Sequence, residues 1–107
     1  MAQREVVVAG GVRTPIGDYG AALKDIPPTK LGATAIREAV ARAKIDPATV
    51  GHVVLGSVIH GEARDMYISR VAAIEGGLPV GTPCLTVNRL CGSGLQAIGR
   101  ASCRERV

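Results

Sequence analysis

The chain has 107 residues, a formal net charge of +4, no Phe or Trp and only two Tyr. This length suits one small domain with an aliphatic core, and no apolar run is long enough to span a membrane. The positive charge is scattered and few aromatic side chains could stack on bases, so we expect neither a nucleic-acid partner nor a membrane partner. The N-terminus lacks the pattern of an export signal, so we expect a cytoplasmic protein.

The first half of the chain predicts a strand followed by a helix. Glu5–Ala9 is a continuous β-branched run, typical of a strand buried on both faces. After a loop rich in Gly and Pro, Thr29 is predicted to cap a helix that reaches about Lys44, where apolar side chains recur on one face. Asp46 and Pro47 predict a brief helical turn.

The second half continues the alternation of strands and helices. His52–Ile59 is the second predicted strand. A second helix is predicted to open at Asp65 or Met66 and to close at Gly76, and the third predicted strand is Cys84–Asn88. Such alternation implies βαβ crossovers and an α/β fold with a mostly parallel, buried sheet.

The most informative residue is Cys91, which follows the third predicted strand. A thiol at the start of a helix lies near unpaired N–H groups and the positive end of the helix dipole, which favour the nucleophilic thiolate. Gly92 and Gly94 have no Cβ, so a bulky substrate could approach the backbone there. Reactive groups of α/β sheets gather beyond the carboxyl ends of the strands. The pattern therefore predicts covalent catalysis at Cys91.

Two other interpretations of this segment stay open. A free cysteine often packs as a small hydrophobe. In addition, Gly92–Ala97 fits the dinucleotide fingerprint G-x-G-x-x-A, although the acidic residue expected about 20 positions later would lie beyond the end of the sequence.

The segment Val87–Ala97 resembles the nucleophile segment of the thiolase family, the acetyl-CoA acetyltransferases and 3-ketoacyl-CoA thiolases. The resemblance runs from Arg4 to about Ile98. Three earlier segments look like the family's opening, second strand and helix before the nucleophile strand: Val12–Gly17, Val53–Ile59 and Arg70–Pro79. Arg64–Tyr67 and Arg89 are similar to the beta-ketothiolase branch.

The resemblance implies an acyltransferase that uses coenzyme A thioesters as substrates and needs no other cofactor. It would cleave 3-ketoacyl-CoA reversibly by thiolysis, or condense acyl-CoA with acetyl-CoA, through an acyl-cysteine at Cys91. The backbone N–H of Cys91 is a candidate for half of an oxyanion hole. A role in fatty acid metabolism and a parent homodimer or homotetramer are also implied. The alternative is a non-catalytic thiolase-fold protein that binds CoA or lipid or serves in assembly.

The thiolase pattern is incomplete in this chain. Thiolases also use a histidine that activates the nucleophile and a second cysteine that handles a proton, and neither C-terminal motif occurs here. We therefore expect these 107 residues alone to be inactive. The remaining chemistry-bearing side chains are expected to be structural: Arg13, His52, His60, Cys84 and Arg89. With only three cysteines and two histidines at no ligand spacing, no disulfide framework and no metal site are expected.

The last residues depart from the resemblance. We expect residues 1–98 to be a partial thiolase N-terminal domain and residues 99–107 to be foreign. The segment Ile98–Val107 matches the translation of a common sequencing adapter, and it lacks the apolar stripe of a packed helix. Cys103 therefore receives no functional weight. The alternative is a genuine, Arg-rich helix end.

Overall fold

A computed structural model describes residues 5–103, without the side chain of Cys103. Its helices are α1 (Pro28–Ala43), α2 (Ile68–Glu75) and α3 (Ser93–Cys103), its strands are β1 (Val53–Gly56) and β2 (Cys84–Val87), and short 3-10 turns cover Pro47–Thr49 and Ala63–Tyr67. The strands pair in parallel, with Val53 opposite Cys84 and Gly56 opposite Val87. The predicted α/β class with a parallel sheet is confirmed.

One face of the sheet packs against α2, and α1 packs on α2 in turn. The centre of this core is a cluster of Val53, Ala73 and Leu78. The two helices approach closely because small residues face each other: a Cβ on Gly32 would lie 3.1 Å from the Cβ of Ala72. Aliphatic and small side chains therefore build the core, as the composition predicted.

The opposite face of the sheet carries α3. Side chains alternate between the two faces of a strand, so Gly56 faces away from the cluster that contains Val53. A Cβ on Gly56 would lie 2.9 Å from both the carbonyl carbon and the Cβ of Ser93, closer than real Cβ contacts allow. The first turn of α3 can therefore rest on the end of β1 only because that strand ends in glycine.

The predicted strand Glu5–Ala9 is wrong. Residues 5–9 form no strand, and Val6, Val7 and Val8 are 56%, 70% and 90% exposed. In the described part of the chain β1 and β2 pair only with each other. A β-branched run of this kind becomes a strand only when a neighbour supplies the ladder hydrogen bonds and both faces are covered.

The predicted cap at Thr29 is also wrong. Helix α1 begins at Pro28 with Pro27 as its N-cap, and Thr29 is buried inside the first turn. Proline suits the first helical position because its φ is already helical and its missing N–H needs no partner. The predicted end near Lys44 is confirmed, since Lys44 takes the left-handed conformation just after the helix.

The other predicted elements are present with shorter bounds. The strands predicted at His52–Ile59 and Cys84–Asn88 form over β1 and β2 only. The turn at Asp46 is confirmed, because its Oδ1 accepts a hydrogen bond from the N–H of Ala48. The second predicted helix is a 3-10 turn that continues into α2.

Helix α3 crosses the boundary predicted between residues 98 and 99 and continues to Cys103. Residues 104–107 of the segment expected to be foreign lie outside the described residues. The foreign origin of residues 99–107 stays a prediction. Between residues 5 and 103, no helix combines the length and apolarity needed to cross a bilayer.

Candidate functional site

Cys91 lies on the turn between β2 and α3, which we call the cysteine turn and define as residues 88–92. Its thiol is free and the residue is exposed. Both parallel strands end at this edge of the sheet, since Gly56 is opposite Val87 and the N–H of Ser57 donates to the carbonyl of Val87 over 3.0 Å. The predicted position of Cys91, beyond the carboxyl ends of the strands, is confirmed.

Ser93 closes the cysteine turn from inside. Its hydroxyl accepts a hydrogen bond from the N–H of Arg89 over 2.9 Å and donates to the carbonyl of Leu90 over 2.6 Å. Ser93 is only 4% exposed, so water does not compete effectively for these bonds. The hydroxyl therefore ties the residues before Cys91 to the first turn of α3.

Asn88 holds the same turn from the strand side. Its Oδ1 accepts from the N–H of Leu90 over 3.0 Å, and its Nδ2 donates to the carbonyl of Val58 over 3.2 Å. The first bond is an Asx turn, in which a short side chain replaces a backbone acceptor. The second bond connects the cysteine turn to the loop that follows β1.

Leu90 has a left-handed backbone, with φ of 48°. For a residue with a branched apolar side chain this conformation costs about 1–2 kcal/mol. The side chain of Leu90 is 68% exposed, so burial of that side chain offsets little of this energy. The hydrogen bonds of Asn88 and Ser93 are what hold the conformation.

The two glycines after the thiol differ in their surroundings. The N–H of Gly92 donates to the carbonyl of Arg89 over 2.9 Å, and a Cβ on Gly92 would lie 3.4 Å from that oxygen. A Cβ on Gly94 would meet nothing within 4 Å. Since the N–H of Ser93 is also engaged, by the carbonyl of Leu90, neither it nor the N–H of Gly92 is free for a substrate oxygen. The backbone N–H of Cys91 stays the candidate oxyanion donor.

The two histidines do not join the thiol. His52 is half-buried directly before β1, at the end of the sheet away from Cys91. His60 is exposed in the loop after β1. Within residues 5–103 no hydrogen bond connects either imidazole to Cys91.

Three other side chains make local contacts. Half-buried Cys84 packs against the core cluster, and its Sγ donates to the carbonyl of Thr82 over 3.4 Å. The guanidinium of Arg13 donates to the neighbouring carbonyl of Thr14, and that of Arg89 donates to Oε1 of Gln96 over 2.7 Å. The structural roles expected for Arg13, Cys84 and Arg89 stay predictions.

The thiolase N-terminal domain, as a family profile, matches residues 6–104 of this sequence. The chain belongs to the thiolase family. Family membership leaves the dinucleotide interpretation of the segment after Cys91 without support.

Individual thiolases give the same result. The chain is 61% identical over 99 residues to beta-ketothiolase BktB of Cupriavidus necator. The matched region covers 92% of this chain and 25% of that protein. It is 42% identical over 95 residues to human mitochondrial 3-ketoacyl-CoA thiolase, covering 89% of this chain and 24% of that protein. The chain thus spans about a quarter of the length of these thiolases.

Solved thiolase structures contain the same fold. The crystal structure of human mitochondrial 3-ketoacyl-CoA thiolase in complex with CoA matches with a TM-score of 0.85 and 40% identity, over 92% of this chain and 25% of that chain. The acetyl-CoA acetyltransferase of Bacillus anthracis matches with a TM-score of 0.84 and 37% identity, over 91% and 25% of the two chains.

The sequence interpretation missed three residues of the site: Gly56, Asn88 and Ser93. An Asn two residues before a left-handed position is a known turn signal, so Asn88 could have been found from local chemistry. A serine can bond the backbone three or four residues earlier, which would have pointed to Ser93. No local signal marks Gly56, because its contact is with a residue 37 positions away.

Proposed function

We propose that this chain carries the nucleophile of a thiolase-type acyltransferase, with Cys91 as the acyl carrier. The observation that supports this proposal is the exposed, free thiol of Cys91 on the turn at the carboxyl edge of a parallel sheet. The substrates are coenzyme A thioesters, as the names of the related thiolases suggest.

In thiolysis, the Cys91 thiolate attacks the keto carbon of a 3-ketoacyl-CoA. The bond between the α and β carbons then breaks, its electron pair is protonated, and acetyl-CoA leaves. The shortened acyl group stays on Sγ as a thioester, and attack by the thiol of CoA releases it as acyl-CoA while Cys91 regains its thiolate. A thiolate serves both steps because it is a good nucleophile and a good leaving group.

Negative charge develops on the carbonyl oxygen when Cys91 attacks the keto carbon, and again when CoA attacks the acyl thioester on Cys91. The backbone N–H of Cys91 is suited to stabilise this charge, and one such donor commonly contributes about 3 kcal/mol to the lowering of the barrier. Open space beside Gly94 would let the acyl chain or the pantetheine arm pass close to α3.

The described residues bring no base to Cys91. The thiolase resemblance implies that turnover also needs a histidine that activates the nucleophile and a second cysteine that handles a proton. We propose that these lie in the part of a full-length thiolase that this chain does not span. That protein would be a cytoplasmic homodimer or homotetramer acting in fatty acid metabolism. The 107 residues by themselves are expected to give no thiolysis of acetoacetyl-CoA.

A chimera tests the proposal directly. Residues 6–98 replace the matching segment of the Cupriavidus necator beta-ketothiolase, which supplies the rest of a thiolase. We expect this chimera to cleave acetoacetyl-CoA, and we expect Cys91→Ser to lower kcat by roughly 10³-fold or more because the nucleophile is lost. Mass spectrometry of the quenched reaction should find the acyl group on the Cys91 peptide.

Cys84→Ser is the matched control, since it replaces a thiol on the strand before the turn and should leave turnover largely unchanged. A folded chimera that is inactive, or that keeps its activity after Cys91→Ser, would contradict the proposal. A folded, inactive chimera that still binds CoA would favour a non-catalytic CoA-binding protein instead.

A further inference from the structure

The cysteine turn satisfies all four backbone polar groups of the two residues before Cys91. The N–H of Arg89 donates to Ser93 Oγ, and the carbonyl of Arg89 accepts from the N–H of Gly92. The N–H of Leu90 donates to Asn88 Oδ1, and the carbonyl of Leu90 accepts from both the N–H and the hydroxyl of Ser93. The backbone that leads into the nucleophile is therefore closed on itself by two side chains and two backbone N–H groups.

This closure does not serve the packing of the core. Leu90 adopts a left-handed backbone although its side chain is largely exposed, so the conformation gains little buried apolar surface. Strained backbone of this kind persists only where surrounding bonds over-determine it, and it concentrates at functional sites. Its direct consequence here is the direction in which the next residue, Cys91, leaves the turn.

Ser93 is the residue that connects this turn to the rest of the molecule. It is 4% exposed and lies against Gly56, whose absent Cβ leaves room for the Ser93 backbone and Cβ. The first turn of α3 is thereby seated on the end of β1. The Ser93 hydroxyl then holds Arg89 and Leu90, the residues before Cys91, by hydrogen bonds.

We infer that Ser93 is a positioning residue for Cys91, and that Asn88 supports it from the opposite side of the turn. This inference rests on the proposed function. Ser93 does not touch the substrate. It holds the sulfur and the backbone N–H of Cys91 in one orientation, so that the sulfur can reach an acyl carbon while the N–H faces the oxygen of the same acyl group.

The test uses Ser93→Ala in the 107-residue chain and follows alkylation by iodoacetamide with peptide mapping. We expect the alkylation rate of Cys91, relative to that of free cysteine at the same pH, to fall about fivefold, because a loosened turn no longer holds the sulfur in one exposed orientation. The rate of Cys84 in the same molecules should not change. In the chimera, the same substitution should lower kcat and leave KM nearly unaltered.

Ser69→Ala is the matched control. Ser69 is equally buried, at 3% exposure, and its hydroxyl accepts a hydrogen bond from Thr86. Its partner Thr86 lies within β2 and not on the cysteine turn, so loss of the Ser69 hydroxyl should leave the alkylation ratio of Cys91 unchanged. Equal effects of the two substitutions would show a general loss of stability and would overturn the inference.

Loss of folding in Ser93→Ala would appear as faster alkylation of half-buried Cys84. In that case Asn88→Ala decides, because Asn88 is exposed and holds the same turn from the strand side. A reduced Cys91 ratio in Asn88→Ala supports the inference, and an unchanged ratio overturns it. Failure of the proposed function is separate: it would appear as turnover that survives Cys91→Ser, whatever Ser93 does to alkylation.

Discussion

The two connections that leave the sheet at its carboxyl edge are built in the same way but with different side chains. After β1, Asp65 is the third residue of the 3-10 turn, and its Oδ2 accepts from the N–H groups of Gly61 and Glu62 over 2.9 and 3.1 Å. These are the residues four and three positions earlier. A carboxylate, buried to 1% exposure, therefore closes the first connection.

After β2, Ser93 makes the corresponding contacts with the residues four and three positions earlier, Arg89 and Leu90. Its hydroxyl both accepts and donates, whereas the carboxylate of Asp65 only accepts. Under the proposed function, the neutral hydroxyl also has the advantage of adding no negative charge beside the nucleophile Cys91. Under the proposed function, the first connection serves stability and the second also positions the nucleophile.

Ser93→Asp would place in the second connection the residue type that closes the first. Of the variants considered, it should lower the free energy of unfolding most. Aspartate could accept from Arg89 but offers no hydrogen to the carbonyl of Leu90, and it would bury an unpaired charge at a position that is 4% exposed. We expect a loss of about 3–5 kcal/mol in the free energy of unfolding, measured by urea denaturation. Gly94→Asp is the control, since a Cβ there meets nothing within 4 Å. Equal unfolding midpoints for the two variants would contradict the comparison.

Asp65→Ala should have the next largest effect. It removes a charged acceptor from two N–H groups, and we expect a loss of about 2–3 kcal/mol, again from urea denaturation. Asp65→Asn keeps an acceptor and should lose less. If the two connections are independent, Cys91 in the folded Asp65→Ala variant should be alkylated at the same rate as in the unaltered chain. A slower rate would mean that the two connections are coupled.

Gly56→Ala tests the packing that joins the second connection to β1. The new Cβ would lie 2.9 Å from Ser93 atoms, so α3 must shift, at a cost of about 1–3 kcal/mol, and alkylation of Cys91 should change as well. Gly51→Ala is the matched control just before β1, where a Cβ meets nothing within 4 Å. A Gly56→Ala variant as stable as Gly51→Ala would show that Ser93 is not seated on β1.

Gly94→Ala should change the free energy of unfolding least. It should raise stability slightly and lower activity. Position 94 is an open position in α3, so alanine should stabilise the helix by about 0.5–1 kcal/mol. In the chimera, the same methyl group should lower kcat/KM for acetoacetyl-CoA if the acyl chain or the pantetheine arm passes here. Unchanged kinetics would remove the proposed substrate role of Gly94.

Much of the fold was predictable because local signals mark its boundaries. The apolar face of α1 and the glycines after α2 allowed the bounds of these helices to be predicted to within a few residues. The short apolar runs located β1 and β2. The run Glu5–Ala9 carries an equally strong strand signal, yet it forms none. Backbone ladder bonds come from a neighbouring strand, so a local pattern cannot decide whether such a strand forms.

The position of Cys91 was determined by the sequence itself, because an apolar strand, a thiol and a helix follow one another within a few residues and parallel strands end at one edge. The contacts that fix the turn around that thiol were decided only by the tertiary structure. Gly56 and Ser93 are far apart in the chain, and their contact exists only when β1 and α3 pack. Asn88 and Ser93 have side chains that could bond many backbone groups, and the packed turn selects one set among them.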